Sequence, residues 1–207
     1  PVLTASETEE IVASMLTEEE MARFRQEKSL DLSYVFKDKA RFRVNVFFQR
    51  GFMSAALRLI PVEIKSITDL NLPPILADFS RKEQGFFLVV GPTGHGKSTT
   101  LASMVDIINH ERAEHIVTIE DPIEYQFNQD KSIIDQREIG RDATSFASAL
   151  RSMFREDINV AMIGEMRDPE TIAAAVTAAE TGHLILSSLH TNSASQTIDR
   201  IIDTFPP

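Results

Sequence analysis

Apolar and polar positions change rhythm along this chain. Over residues 5–27, Ile11, Met15, Leu16 and Phe24 recur at helical spacing between Glu-rich faces, which predicts helix. Over 30–36 and again over 42–48 the period shortens to two. Phe42, Val44, Val46 and Phe48 share one parity, and Arg41, Arg43, Asn45 and Phe47 share the other, the pattern of a half-buried strand. Gly51 punctuates a turn before a third apolar segment over 52–60. Together these elements predict a small α+β unit, short of a full core by itself.

Pro61, Pro73 and Pro74, with charges after them, mark 61–84 as a connector, because proline stiffens a connection and interrupts helices. From 85 onward the pattern predicts strands over 86–90, 115–119, 159–163 and 184–189, and helices over 97–109, 145–155, 169–181 and 193–202. Short apolar strands separated by helices mean βαβ units and a mainly parallel sheet covered on both faces. One helix is well signed: Asp168 can cap it, Pro169 suits its first position and Gly182 can end it. The expected division is 1–60, a connector over 61–84, and an α/β core over 85–207.

Charge narrows the options. The 207 residues hold 21 Lys and Arg against 31 Asp and Glu, a formal net charge of −10. Clustered cations supply most of the affinity for a phosphate backbone, so this balance argues against a nucleic-acid-coating protein, and less strongly against a polybasic membrane binder. Cysteine is absent, which excludes disulfides and thiolate-bound zinc. No apolar run approaches the ~20 residues that span a bilayer, and no signal-peptide pattern opens the chain. A soluble, cytoplasmic protein is expected.

Gly91-Pro92-Thr93-Gly94-His95-Gly96-Lys97-Ser98 fits G-x-x-x-x-G-K-[ST], directly after a predicted strand and before a predicted helix, the context that confirms the motif. Glycines let the backbone wrap so that N–H groups point inward, and the helix adds its positive end. Lys97 can reach the outer phosphates and the Ser98 hydroxyl can hold Mg²⁺, with Thr99 next in the turn. The expected ligand is a nucleoside triphosphate.

In an open parallel sheet, ligands sit outside the carboxyl ends of the strands. Three further predicted strands deliver ionisable residues to that edge: one runs into Glu120-Asp121-Pro122-Ile123-Glu124, one into Gly164-Glu165 and one into His190-Thr191. Glu165 can order Mg²⁺ through water or position an attacking water, and Glu124 is a second carboxylate able to polarise it. His190 can contact a terminal phosphate. His183 stands seven residues earlier, about 23 Å away at ~3.3 Å per strand residue, so the two cannot share a metal. On the residues alone, His183 is as readily structural as functional. Phosphate sites often take a cation from a neighbouring subunit. Arg41, Arg43, Arg50 and Arg58 crowd the N-terminal strands, and Arg137, Arg141, Arg151 and Arg155 compete with them by spacing alone.

GPTGHGKSTT, TIEDPIEY, IGEMRD and TGHLILSSLHT, in that order, resemble the Walker A, Asp-box, Walker B and His-box motifs of the secretion ATPase superfamily. RFRVNVFFQRG followed by LRLIP and LNLPPIL is similar to the PilT-like retraction ATPases, the twitching-motility branch of type IV pilus systems. The resemblance covers essentially the whole chain. It implies an incomplete N-terminal PAS-like domain joined to a RecA-like P-loop core, and Mg²⁺-dependent ATP hydrolysis. It also implies a homo-hexameric ring at the inner face of the cell membrane, working on pilin machinery and an inner-membrane platform protein without nucleic acid. By the same resemblance Lys97 is the Walker A lysine, Glu124 the Asp-box carboxylate and Glu165 the Walker B carboxylate, with Ser98 and Glu165 serving Mg²⁺. His183 and His190 form the His-box pair, and Arg43 and Arg58 are the arginines that act in trans. His95 stands where the family usually has Ser, and Glu156-Asp157-Ile158-Asn159 where it usually has Glu-Asp-Pro-Asp. The family's C-terminal helical region is expected to be missing. A pilus-extension or type II secretion ATPase, and a nucleotide-gated scaffold for a partner motor, stay open as alternatives.

Overall fold

The computed structural model describes residues 2–37, 40–60 and 63–205, and the chain divides into two compact units between Val62 and Glu63. The first opens with two helices where the spacing predicts one helical stretch: α1 (Ala5–Met15) and α2 (Glu18–Glu27). Each starts on a capping box, Thr4 with Glu7 and Thr17 with Glu20. Such a box satisfies two backbone donors reciprocally, so the second one starts a new helix. Once separated, each helix takes its own phase: Val12 and Phe24 are buried, while Ile11 is exposed.

Three antiparallel strands follow in spatial order: β1 (Ser29–Phe36), β2 (Ala40–Gln49) and β3 (Phe52–Ile60). Arg50 at φ 51° and Gly51 at φ 83° make the β2–β3 turn, both left-handed as a two-residue hairpin loop requires. The predicted parity holds. Val44 and Val46 are buried, and the Phe48 ring stacks on Phe24 with centroids 4.7 Å apart. On the other face Arg43 and Arg58 are register partners, so two like charges stand side by side across β2 and β3.

The second unit runs α3 (Ile75–Ser80), β4 (Gly85–Val90), α4 (Lys97–Glu111), β5 (His115–Glu120), β6 (Ile133–Glu138), α5 (Phe146–Met153), β7 (Val160–Ile163), α6 (Pro169–Glu180), β8 (Leu184–Leu189) and α7 (Ala194–Ile202). Its strands form one parallel sheet in the order β4-β8-β7-β5-β6. Neighbouring residues of a strand face opposite sides, and both sides are covered. Ile116, Val160 and Leu184 join Leu101, Met104 and Ile108 of α4 in one buried cluster. Val117, Ala161 and Ile185 join Leu150 and Met153 of α5 and Ile172 of α6 in the other. The α/β core and the preceding α+β unit are therefore both present.

Two elements escape the sequence pattern. Among the described residues β6 pairs with β5 alone, at the sheet edge, and its last four residues are polar, so no apolar alternation announces it. Residues 63–84 are not a free-standing connector: Ile67 is in the buried cluster, and Ile64, Leu72 and Leu76 pack against it. Ser103 Oγ donates to Lys65 O at 2.6 Å, and Arg112 Nη1 to Lys82 O at 2.7 Å. The prolines mark turns there, while apolar contacts decide where the segment lies.

Candidate active site

Between β4 and α4 the backbone turns at Gly94 (φ 79°) and Gly96 (φ 82°), values that glycine adopts without strain. Gly96 is the N-cap of α4, and among the described residues no side chain caps that end, so first-turn N–H groups remain available to an anion. Lys97 is only 8% exposed. Its Nζ donates to Gly91 O at 2.9 Å and Pro92 O at 3.0 Å. Burial pulls this ammonium below the usual lysine range, while Glu165 and Glu124 pull the other way. A buried cation beside an uncapped helix end suits a polyphosphate.

Strand order brings the remaining groups in. β8 lies beside β4, and β7 lies beside β8. His190, just past β8, has Nδ1 3.4 Å from Lys97 Nζ and 3.5 Å from Thr93 Oγ1. Its Nε2 stands 3.4 Å from Glu165 Oε2. Glu165 follows β7, its side chain 14% exposed, and also meets Arg167 Nη2 at 2.5 Å. Arg167 was not singled out by spacing; its position two residues after Glu165 in the turn before α6 is the signal available for it. A Cβ on Gly164 would lie 3.3 Å from Ile119 O, a tight contact that the neighbouring backbone would have to relieve by a few tenths of an ångström. Past β5, the Glu124 N–H donates to Glu120 Oε2 at 3.2 Å, and Tyr125 OH lies 2.9 Å from Thr99 Oγ1 in α4.

The structure thus groups Lys97, His190, Glu165 and Glu124 at one sheet edge and leaves His183 at the other end of β8. There His183 Nδ1 lies 3.0 Å from Ala178 O, and its ring packs edge-on to Phe154 with centroids 6.0 Å apart. Arg43 and Arg58 belong to the first unit. Arg137 is held by both carboxylate oxygens of Glu156 at 2.8 and 2.9 Å, and Arg151 pairs with Glu170. His95 is exposed in the loop, and Ser98 is half-buried in the first turn of α4. Among the described residues no group of three or more His, Asp or Glu could hold a metal ion alone.

Glu120 has a pH consequence. It is 5% exposed, and burial pushes its carboxyl up to about 7, against hydrogen bonds from Thr118, the Glu124 N–H and Gln136, with Glu124 adding an upward push. Glu138 is its register partner on β6. A native pKa above the unfolded value means that the folded state holds its proton longer. Stability therefore declines as pH rises from about 4.5 to 7 and levels off above. Glu120→Gln removes this titration. Chemical denaturation at pH 4.5 and 8 is expected to show the variant gaining on the order of 2–3 kcal/mol relative to wild type across the window; parallel pH curves would contradict it.

The family described as type II/IV secretion system protein matches residues 11–204. The twitching motility protein of Neisseria gonorrhoeae is 46% identical over 206 residues, covering 100% of this chain and 55% of that protein. The type IV pilus retraction ATPase PilT of Pseudomonas aeruginosa is 43% identical over 206 residues, covering 100% of this chain and 60% of its own length. The crystal structure of the pilus retraction motor PilT with bound ADP superposes with a TM-score of 0.92 at 49% identity, over 96% of this chain and 58% of that one. The chain thus spans little more than half the length of the relatives it matches.

Proposed function

The chain belongs to the type II/IV secretion system protein family, and from that premise we propose that it hydrolyses Mg²⁺-ATP in a ring-forming motor that drives type IV pilus retraction. The observation that carries hydrolysis is the contact chain from Lys97 through His190 to Glu165, with 3.4 Å at each step. A phosphate-binding cation, a group able to sense the terminal phosphate and a carboxylate able to orient water stand in line. Similarity to a twitching motility protein and a retraction ATPase, 46% and 43% identical in alignments that cover 100% of the chain, the N-terminal unit included, supports retraction over extension.

Lys97 and the loop N–H groups hold the phosphates. Ser98 and Glu165 would hold Mg²⁺, which would supply neutralising charge beside the phosphates. Glu165 and Glu124 orient and polarise the attacking water, and His190 reports the terminal phosphate. Arg43 and Arg58 act on the nucleotide of an adjacent protomer, in a homo-hexamer at the cytoplasmic face of the membrane. Attachment runs through a membrane-embedded partner of the pilus machinery; among the described residues no helix is long and apolar enough to cross a membrane. His183 carries no part of the chemistry in this scheme.

A shared site makes turnover depend on assembly. Mg²⁺-dependent ATP hydrolysis per chain is expected to climb with protein concentration, and Arg43→Ala and Arg58→Ala each to lower it by about 10³-fold, the scale of an arginine that stabilises phosphoryl transfer. A rate flat with concentration, with both variants fully active, would sink the shared site. ATP binding without turnover at any concentration would favour the scaffold.

A further inference from the structure

Residues 121–127, which carry Glu124, form neither helix nor strand. Irregular segments of this kind are ordinarily mobile. Here, four backbone groups are each held by a side chain from the ends of β5 and β6. The Ile123 N–H donates to Glu138 Oε2 at 3.1 Å, and the Glu124 N–H to Glu120 Oε2 at 3.2 Å. Gln136 holds the next two: its Nε2 donates to Tyr125 O at 2.7 Å, and its Oε1 accepts from the Phe127 N–H at 2.9 Å.

We propose that Gln136, Glu120 and Glu138 are positioning residues that fix the Glu124 carboxylate relative to Lys97, a role that rests on the hydrolysis reading above. Register explains how three side chains converge. Thr118 pairs with Gln136 and Glu120 with Glu138 across β5–β6, and residues two apart share a face. That face also carries Ile116 and Ile134, which pack with α4, the helix that begins at Lys97. Gln136 Nε2 further reaches Glu120 Oε1 at 3.3 Å, and Thr118 Oγ1 donates to the same oxygen at 2.7 Å. Both oxygens of Glu120 therefore accept, and the three side chains work as one bracket.

The bracket is costly as mere scaffolding. Glu120 and Glu138 are both 5% exposed, and a buried carboxylate is tolerated only when hydrogen bonds offset its lost hydration. A loop that needed only to be covered could be packed with apolar side chains. What the carboxylates and the amide supply is a defined position for the backbone on either side of Glu124. The Tyr125–Thr99 hydrogen bond at 2.9 Å then ties the same segment to the first turn after Lys97.

The test uses Gln136→Met and the isosteric Gln136→Glu, which keeps the acceptor for Phe127 but loses both donated bonds. Amide hydrogen exchange is read on the chain without nucleotide. Exchange at Glu124 and Phe127 is expected to accelerate at least tenfold in Gln136→Met, with β7 and β8 amides unchanged as the check on folding. Protection unchanged at 123–127 in both variants would overturn the bracket. In Mg²⁺-ATP hydrolysis, kcat is expected to fall about tenfold to a hundredfold in both variants, the scale of misplacing a reacting group by an ångström, with KM within about twofold. In a Glu124→Gln background the same substitutions are expected to add nothing. An unaltered kcat, or a loss that multiplies with Glu124→Gln, would overturn the positioning role. A wild-type chain without turnover would instead overturn the hydrolysis reading, and exchange alone would then decide the bracket.

Discussion

Glu165→Gln is expected to bind Mg²⁺-ATP about as well as the unmodified chain while turning it over about 10²–10⁴-fold more slowly, the range lost when a positioned acid–base group is removed. The substitution keeps the size of a side chain that is 14% exposed and meets Arg167 and His190, so packing is preserved. What disappears is a negative charge at the point where water must be oriented and its proton accepted. Loss of charge also weakens the Coulomb attraction that acts on Lys97. Its loss also relieves repulsion of the anionic phosphates, so the two effects oppose each other and affinity moves far less than rate. Single-turnover hydrolysis beside equilibrium binding of a fluorescent ATP analogue separates the two. A variant that matches wild type in turnover would remove Glu165 from the chemistry and leave Glu124 as the carboxylate to examine.

Lys97→Ala is expected to lose binding as well as turnover. Its ammonium is buried and turned onto Gly91 O and Pro92 O, an arrangement that holds the loop in shape while keeping the charge at the uncapped end of α4. Without it, the phosphates lose their nearest cation in a site where water screens little. ATP affinity is expected to fall at least about a hundredfold, equivalent to about 3 kcal/mol at the usual tenfold per 1.4 kcal/mol, and turnover with it. Calorimetric titration with Mg²⁺-ATP reads this directly. Affinity within a few-fold of wild type would mean that the loop N–H groups hold the phosphates unaided and that Lys97 serves the loop alone.

These two outcomes also separate residues by how they can be recognised. Lys97 is legible from a local motif, since the loop geometry depends on glycines and a helix start within a few residues. Glu165 and His190 are legible one step further away, through the rule that parallel strands present their carboxyl ends on one edge. Strand-length arithmetic puts His183 at the far end, and it lies there, against Ala178 and Phe154. Gln136 was not legible at all. It sits on β6, a strand paired on one side only, whose polar residues look like loop until β5 is known to lie beside it.

The sequence by itself determined the phosphate loop, the alternation of strands and helices in the second unit, the two-sided burial of its strands and the parity of β2. Each rests on interactions between residues close along the chain: turn geometry, capping and the period at which apolar side chains recur. Only the tertiary structure decided that β8 and β7 stand between β4 and β5. That choice sets Lys97 beside His190, 93 positions away, at 3.4 Å. It also made residues 63–84 part of the core and turned three polar side chains of the β5 and β6 ends into the bracket around Glu124. Strand neighbours are selected by which arrangement buries both faces of the whole sheet, a sum over distant residues that no local window contains.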